Sequence, residues 1–209
     1  MRIKNTSLFV FAGFALATFQ VHAESLVDGS AEAGKTKSAT CAACHGPDGN
    51  SAVPMWPNIA GQGATYLVAQ LSAFKDGSRS DPMMGSQTMM LSDEDMRNIA
   101  VYFESLPGTE AAAADAGNVE KGEALYRGGN AEAGVAACIA CHGPTGRGNP
   151  AAGYPSIQGQ HATYAAKQLR DYAAGTRKSD GKTRIMRDIA ARLDSDEIDA
   201  VASYMQGLH

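Results

Sequence analysis

This chain has no apolar run long enough to span a bilayer. The most apolar stretch, from Leu8 to Phe19, covers twelve residues, whereas a transmembrane helix needs roughly 20. Arg2 and Lys4 precede it and Val21-His22-Ala23 closes it, so residues 1–23 read as a secretory signal peptide cleaved after Ala23. The remainder has no transmembrane anchor, and peripheral association is the only membrane contact left open. Basic side chains are also in deficit. Without Arg2 and Lys4, 16 remain against 22 acidic ones, a net charge of −6, which excludes the basic footprint of a nucleic-acid partner. Alternating strand patterns are missing as well, so the fold class is all-α.

What is present is a duplication. Cys41-Ala42-Ala43-Cys44-His45-Gly46-Pro47 returns as Cys138-Ile139-Ala140-Cys141-His142-Gly143-Pro144. Trp56-Pro57-Asn58-Ile59 returns as Tyr154-Pro155-Ser156-Ile157, and Gly61-Gln62, Tyr66 and Gln70-Leu71 return as Gly159-Gln160, Tyr164 and Gln168-Leu169. After a few inserted residues, Met84, Leu91 and Tyr102 pair with Met186, Leu193 and Tyr204. A period this long does not fit a solenoid, so each copy is a self-contained domain. The copies span 24–106 and 119–209, joined by an Ala/Gly-rich linker, 107–118.

Both copies end in an amphipathic helix, with Met96, Ile99, Ala100 and Phe103 on one face and Ile198, Val201, Ala202 and Met205 on the other copy's. Ser92 and Asp194 stand at the N-cap positions, followed three residues later by Asp95 and Glu197. Earlier helices are expected over 65–75, closed by Gly77, and over 163–174, closed by Gly175.

Four cysteines in an exported chain make two disulfides the default. The spacing points elsewhere. In Cys-x-x-Cys-His, two thiols are placed to add to the vinyl groups of a haem and the adjacent histidine to ligate its iron. A thioredoxin-like redox pair needs a βαβ context that is missing, and a zinc site does not explain two domain-sized repeats. Two haem c groups are therefore expected, on Cys41 and Cys44 and on Cys138 and Cys141, with His45 and His142 as proximal ligands.

Each iron needs a sixth ligand, and its identity separates electron transfer from catalysis. In the first copy Met83, Met84, Met89 and Met90 all precede the last helix, whereas the second has only Met186 there. Met186 stands seven residues before Leu193 and Met84 seven before Leu91, which selects Met84 and leaves Met83 and Met89 as alternatives. Met55, Met96 and Met205 are read as core packing. Apart from His22, only His161 and His209 are free for another role, and both read as surface residues. Pro54 is expected to offer its carbonyl to the proximal histidine, with Ala152 as its counterpart. Trp56, Tyr66, Tyr154 and Tyr164 are candidates for haem packing or propionate binding.

The paired motifs, the Pro-x-(Ile or Leu)-x-Gly-Gln segments and the late methionines closely resemble the dihaem cytochrome c4 family over essentially the whole mature chain. The stretches Gly159-Gln160-His161, Ile185-Met186-Arg187 and Gln206-Gly207-Leu208-His209 are especially specific. The resemblance implies two class I cytochrome c folds, His/Met ligation of both irons and a periplasmic location. It also implies redox protein partners: a donor complex, and a terminal oxidase as acceptor. With both irons six-coordinate the chain is a one-electron carrier in a respiratory chain, not an enzyme. An alternative is the cytochrome subunit of a dehydrogenase, such as a sulfide-oxidising flavocytochrome. Charge is uneven too: residues 24–113 hold 5 basic and 11 acidic side chains, and 114–209 hold 11 of each. Steering of different partners to the two copies is the expected consequence.

Overall fold

The computed structural model describes residues 25–209; the signal-peptide expectation lies outside them. Among the described residues ten α-helices follow one another in two sets of five. The first set is α1 (Ala31–Lys37), α2 (Ala42–His45), α3 (Ala64–Lys75), α4 (Pro82–Thr88) and α5 (Asp93–Glu104). The second is α6 (Val119–Gly128), α7 (Ile139–His142), α8 (Ala162–Ala173), α9 (Ile185–Ala190) and α10 (Ser195–Gln206). Among the described residues only two isolated β-bridges occur, Asn130 with Val135 and Asn149 with Tyr154, so the all-α expectation holds. No helix among them is long and apolar enough to cross a membrane.

The terminal helix of each set forms where the sequence places its start signal. Ser92 Oγ accepts from Asp95 N at 3.0 Å while Ser92 N donates to Asp95 Oδ2 at 2.9 Å. Asp194 and Glu197 repeat that exchange at 2.7 and 3.0 Å. Each exchange satisfies donors that a helix start leaves without partners. The buried faces are Met96, Ile99, Ala100 and Phe103, and Ile198, Val201, Ala202 and Met205. The helices expected over 65–75 and 163–174 are α3 and α8, each shifted by one residue at its start.

Six helices were not anticipated: the motif turns α2 and α7, the methionine-bearing α4 and α9, and α1 and α6. The last two each cross the terminal helix of their own set through a glycine. A Cβ on Gly34 would lie 2.0 Å from Asn98 O, and one on Gly122 2.3 Å from Ala200 O, so the backbones touch and only hydrogen fits between them. Around these crossings two apolar cores form. Leu67, Ile99 and Phe103 belong to one, and Leu125, Tyr126, Leu169, Val201 and Met205 to the other.

The segment 107–118 lies against the helices. Asn50 Nδ2 donates to Pro107 O at 3.2 Å, Gln206 Nε2 to Ala112 O at 3.1 Å, and Asp115 N to Ser203 Oγ at 2.7 Å. The two sets face each other through α3, α8 and the loops before them. Gln62 exchanges two hydrogen bonds with the backbone of Ser156, and Gln160 does the same with Asn58, at 2.8 to 3.0 Å.

Candidate haem centres

Each Cys-x-x-Cys-His motif makes one helical turn. In α2, His45 N and Cys44 N both donate to Cys41 O, at 2.9 and 3.2 Å. In α7, His142 N and Cys141 N donate to Cys138 O at the same two distances. Residues three and four apart share a helix face, so this turn puts both thiols and the imidazole on one side. All four cysteines are free thiols, which removes the disulfide alternative. Burial pushes the Cys41 thiol up and the Cys138 thiol to about 11.

Both imidazoles are buried. His45 Nδ1 lies 2.8 Å from Pro57 O, and His142 Nδ1 lies 3.0 Å from Pro155 O. A carbonyl oxygen only accepts, so Nδ1 carries the proton in each ring and Nε2 keeps its lone pair. Burial lowers both pKa values and outweighs the opposing carbonyl bond; the rings are held neutral, the form that ligates a metal. The carbonyl is that of Pro57 and not of Pro54, and its counterpart is Pro155 and not Ala152. The signal was present in the sequence, because Pro57 and Pro155 occupy matching places in the repeated segments.

Met84 and Met186 are half-buried on short helices, α4 and α9. Met186 packs against the apolar cluster that also takes Cys138, Ile139 and Ile157. Met83, Met89 and Met90 are exposed. Met96 and Met205 are core residues as expected, but Met55 is 63% exposed: the loop carrying it turns outward, and its counterpart is Gly153. His209 is exposed. His161 is only half-exposed, and its Nε2 lies 2.8 Å from Ser51 O in the other set, so it is an interface residue.

Two candidate functional residues escaped the sequence reading. Arg79 and Arg177, at matching positions of the repeat, are 8% and 6% exposed. Arg79 donates to Gln70 at 2.8 Å in its own set, and to Tyr164 Oη and Gln168, both at 2.9 Å, in the other. Arg177 mirrors it, donating to Gln168 at 2.8 Å, Tyr66 Oη at 2.7 Å and Gln70 at 3.1 Å. The guanidiniums stack on Phe74 and Tyr172, 4.4 and 4.5 Å from the ring centroids. Burial alone would lower the Arg177 pKa, but the surrounding phenols outweigh it and raise the value. Burial would likewise raise the Tyr66 pKa, and the two arginines overcome that and lower it.

Among the described residues neither arginine meets a carboxylate. A buried cation without a counter-charge costs several kcal/mol, so this site fits a group that brings carboxylates of its own. Haem has two. The phenols expected to bind propionates, Tyr66 and Tyr164, stand in this same cluster. Both halves of the chain thus fit haem c: each has a turn with two thiols and one imidazole, and the two share a buried cationic cluster that would suit carboxylates.

A family model described as cytochrome c matches the chain twice, over residues 31–107 and 119–209. Cytochrome c4 of Pseudomonas aeruginosa is 50% identical over 181 residues, 87% of this chain and 90% of that protein. The chain belongs to the cytochrome c4 family. The crystal structure of reduced recombinant cytochrome c4 from Pseudomonas stutzeri superposes with a TM-score of 0.84 at 47% identity, covering 87% of this chain and all of that one. A more distant relative, named a thiosulfate dehydrogenase electron acceptor in Stutzerimonas stutzeri, is 38% identical over 78% of this chain and 76% of its own length. As a cytochrome c4, the chain has two cytochrome c domains, carries two haem c groups and transfers electrons.

Proposed function

We propose that the protein is a periplasmic one-electron carrier of a respiratory chain that receives electrons from a donor complex and delivers them toward a terminal oxidase. Its domains are 24–106 and 119–209, joined by 107–118. Cys41 and Cys44 form the thioethers of the first haem, and Cys138 and Cys141 those of the second. His45 and Met84 would ligate the first iron, and His142 and Met186 the second. The observation that carries this reading is the pair of buried histidines whose Nδ1 atoms are both committed to proline carbonyls, leaving Nε2 free.

Bound haem supplies an iron that changes by one electron. The residues do the rest. The proline carbonyls fix ring tautomer and orientation and raise the basicity of Nε2. The thioether sulfurs of Met84 and Met186 are soft, neutral donors that favour the reduced iron and raise its potential. With these sulfurs bound to it, the iron would offer no site to a substrate, so the protein would shuttle electrons without transforming a small molecule. A second reading, the electron acceptor of a dehydrogenase of reduced sulfur compounds, is favoured by the relative bearing such a name. Reduction by a thiosulfate dehydrogenase, absent with respiratory donors, would replace the first reading with this one.

The decisive test is a spectroelectrochemical titration of the mature holoprotein with haem quantitation. Two haems per chain are expected, each showing the sulfur-to-iron charge-transfer band. Met84→Ala and Met186→Ala each remove one band and lower one potential while leaving the other haem intact. Carbon monoxide binding to the native reduced protein would overturn the carrier reading.

A further inference from the structure

The helices bearing the two candidate sulfur ligands begin differently. In the first domain Asp81 is the N-cap of α4, and its Oδ1 accepts from Met83 N and Met84 N, both at 3.0 Å. Asp81 is exposed and caps the helix without help. In the second domain four residues are inserted between the buried arginine and the methionine, since nine positions separate Arg177 from Met186 and five separate Arg79 from Met84. The N-cap place of α9 falls to Arg184, whose backbone is left-handed (φ 54°) and whose side chain caps nothing.

Asp180, in the inserted stretch, takes over that task from a distance. Its Oδ2 accepts from Arg187 N at 3.0 Å, and its Oδ1 from Arg187 Nε at 2.7 Å. Arg187 donates again to Gly181 O at 2.5 Å. The Asp180 and Arg187 side chains are 5% and 11% exposed, whereas every other ion pair among the described residues has both partners at least 22% exposed. Surface ion pairs contribute little, but breaking a buried one is strongly unfavourable. Arg187 directly follows Met186, so this bidentate clamp closes on the turn that carries the sulfur.

We propose that Asp180 is a positioning residue of the second haem centre: through the buried ion pair with Arg187 it fixes the first turn of α9 and holds Met186 in place, where the first centre has only the exposed cap of Asp81. The inference rests on Met186 being the axial ligand. Its consequence is that the second iron resists displacement of its sulfur by external ligands more than the first does.

The test is an imidazole titration of the ferric dihaem holoprotein followed by NMR. The ligand-methionine and haem methyl signals are assigned to each centre with Met84→Ala and Met186→Ala. In the native protein imidazole displaces sulfur from the first haem at lower concentration than from the second. Asp180→Asn is expected to bring imidazole onto the second haem at roughly tenfold lower concentration, the effect of losing a buried charged contact beside the ligand, and to shift that haem's potential alone. Arg187→Lys keeps the charge but not the two-point geometry and gives an intermediate effect, which preserves the test should the asparagine variant fold poorly. Unchanged imidazole binding and potential at the second haem in both variants overturn the proposal. A charge-transfer band that survives Met186→Ala at the second haem overturns the ligand assignment instead.

Discussion

At the scale of single residues, the differences between the two centres lie in how equivalent positions are filled. Thr88 and Ala190 are both wholly buried at the end of the helix that carries each candidate methionine, but only Thr88 carries a hydroxyl. It donates to Met84 O at 3.0 Å and to Gly85 O at 3.2 Å. Thr88→Val keeps the shape and removes the bonds; it should lower the stability of the first domain by about 1 kcal/mol, read from the guanidinium midpoint, with the second haem's signals unmoved. The candidate histidines were legible because adjacent cysteines declare them. Their carbonyl partners were not, since a backbone acceptor leaves no side-chain signature, and the choice between Pro54 and Pro57 depends on where the loop turns. Arg79 and Arg177 were missed for a related reason: a lone arginine reads as surface, and only the fold shows it meeting phenols from the opposite domain.

At the scale of elements, legibility follows amphipathicity. Helices α5 and α10 carry an apolar face and a capping box, and both were read correctly from the sequence. The seven residues of α1, AEAGKTK, bury only Gly34, so no apolar stripe announces it. Its role is a close crossing, and the information sits in an absent side chain. Gly34→Ala and Gly122→Ala each force a Cβ into a carbonyl oxygen of the facing helix. Separating two packed backbones should cost about 2 to 3 kcal/mol, measured as a lower midpoint for the domain concerned. Gly77→Ala tests the distinction, because nothing stands within 4 Å of its added Cβ. Its cost should come only from its left-handed backbone, about 1 kcal/mol, and equal losses at all three sites would remove the close-crossing explanation.

At the scale of the whole molecule, the duplication yields an interface that neither domain specifies alone. Each arginine bonds one glutamine of its own domain and a tyrosine and glutamine across the boundary or their mirror images, so each cation belongs to both domains. Arg79→Gln should therefore act on both centres. With haem carboxylates held by this cluster, removing its positive charge would stabilise the oxidised iron and lower both potentials, whereas a contact internal to the first domain would lower one. It also leaves Tyr164 without a charged donor and Gln168 with Arg177 alone, each such bond contributing about 1.5 to 3 kcal/mol. That loss at the boundary should split one cooperative calorimetric transition of the holoprotein into two. Arg177→Gln should reproduce both effects, because the cluster is symmetric. A variant that moves a single potential and still unfolds in one transition would mean that the domains are coupled by the glutamine-backbone exchanges of Gln62 and Gln160, with the arginines serving only their own haems.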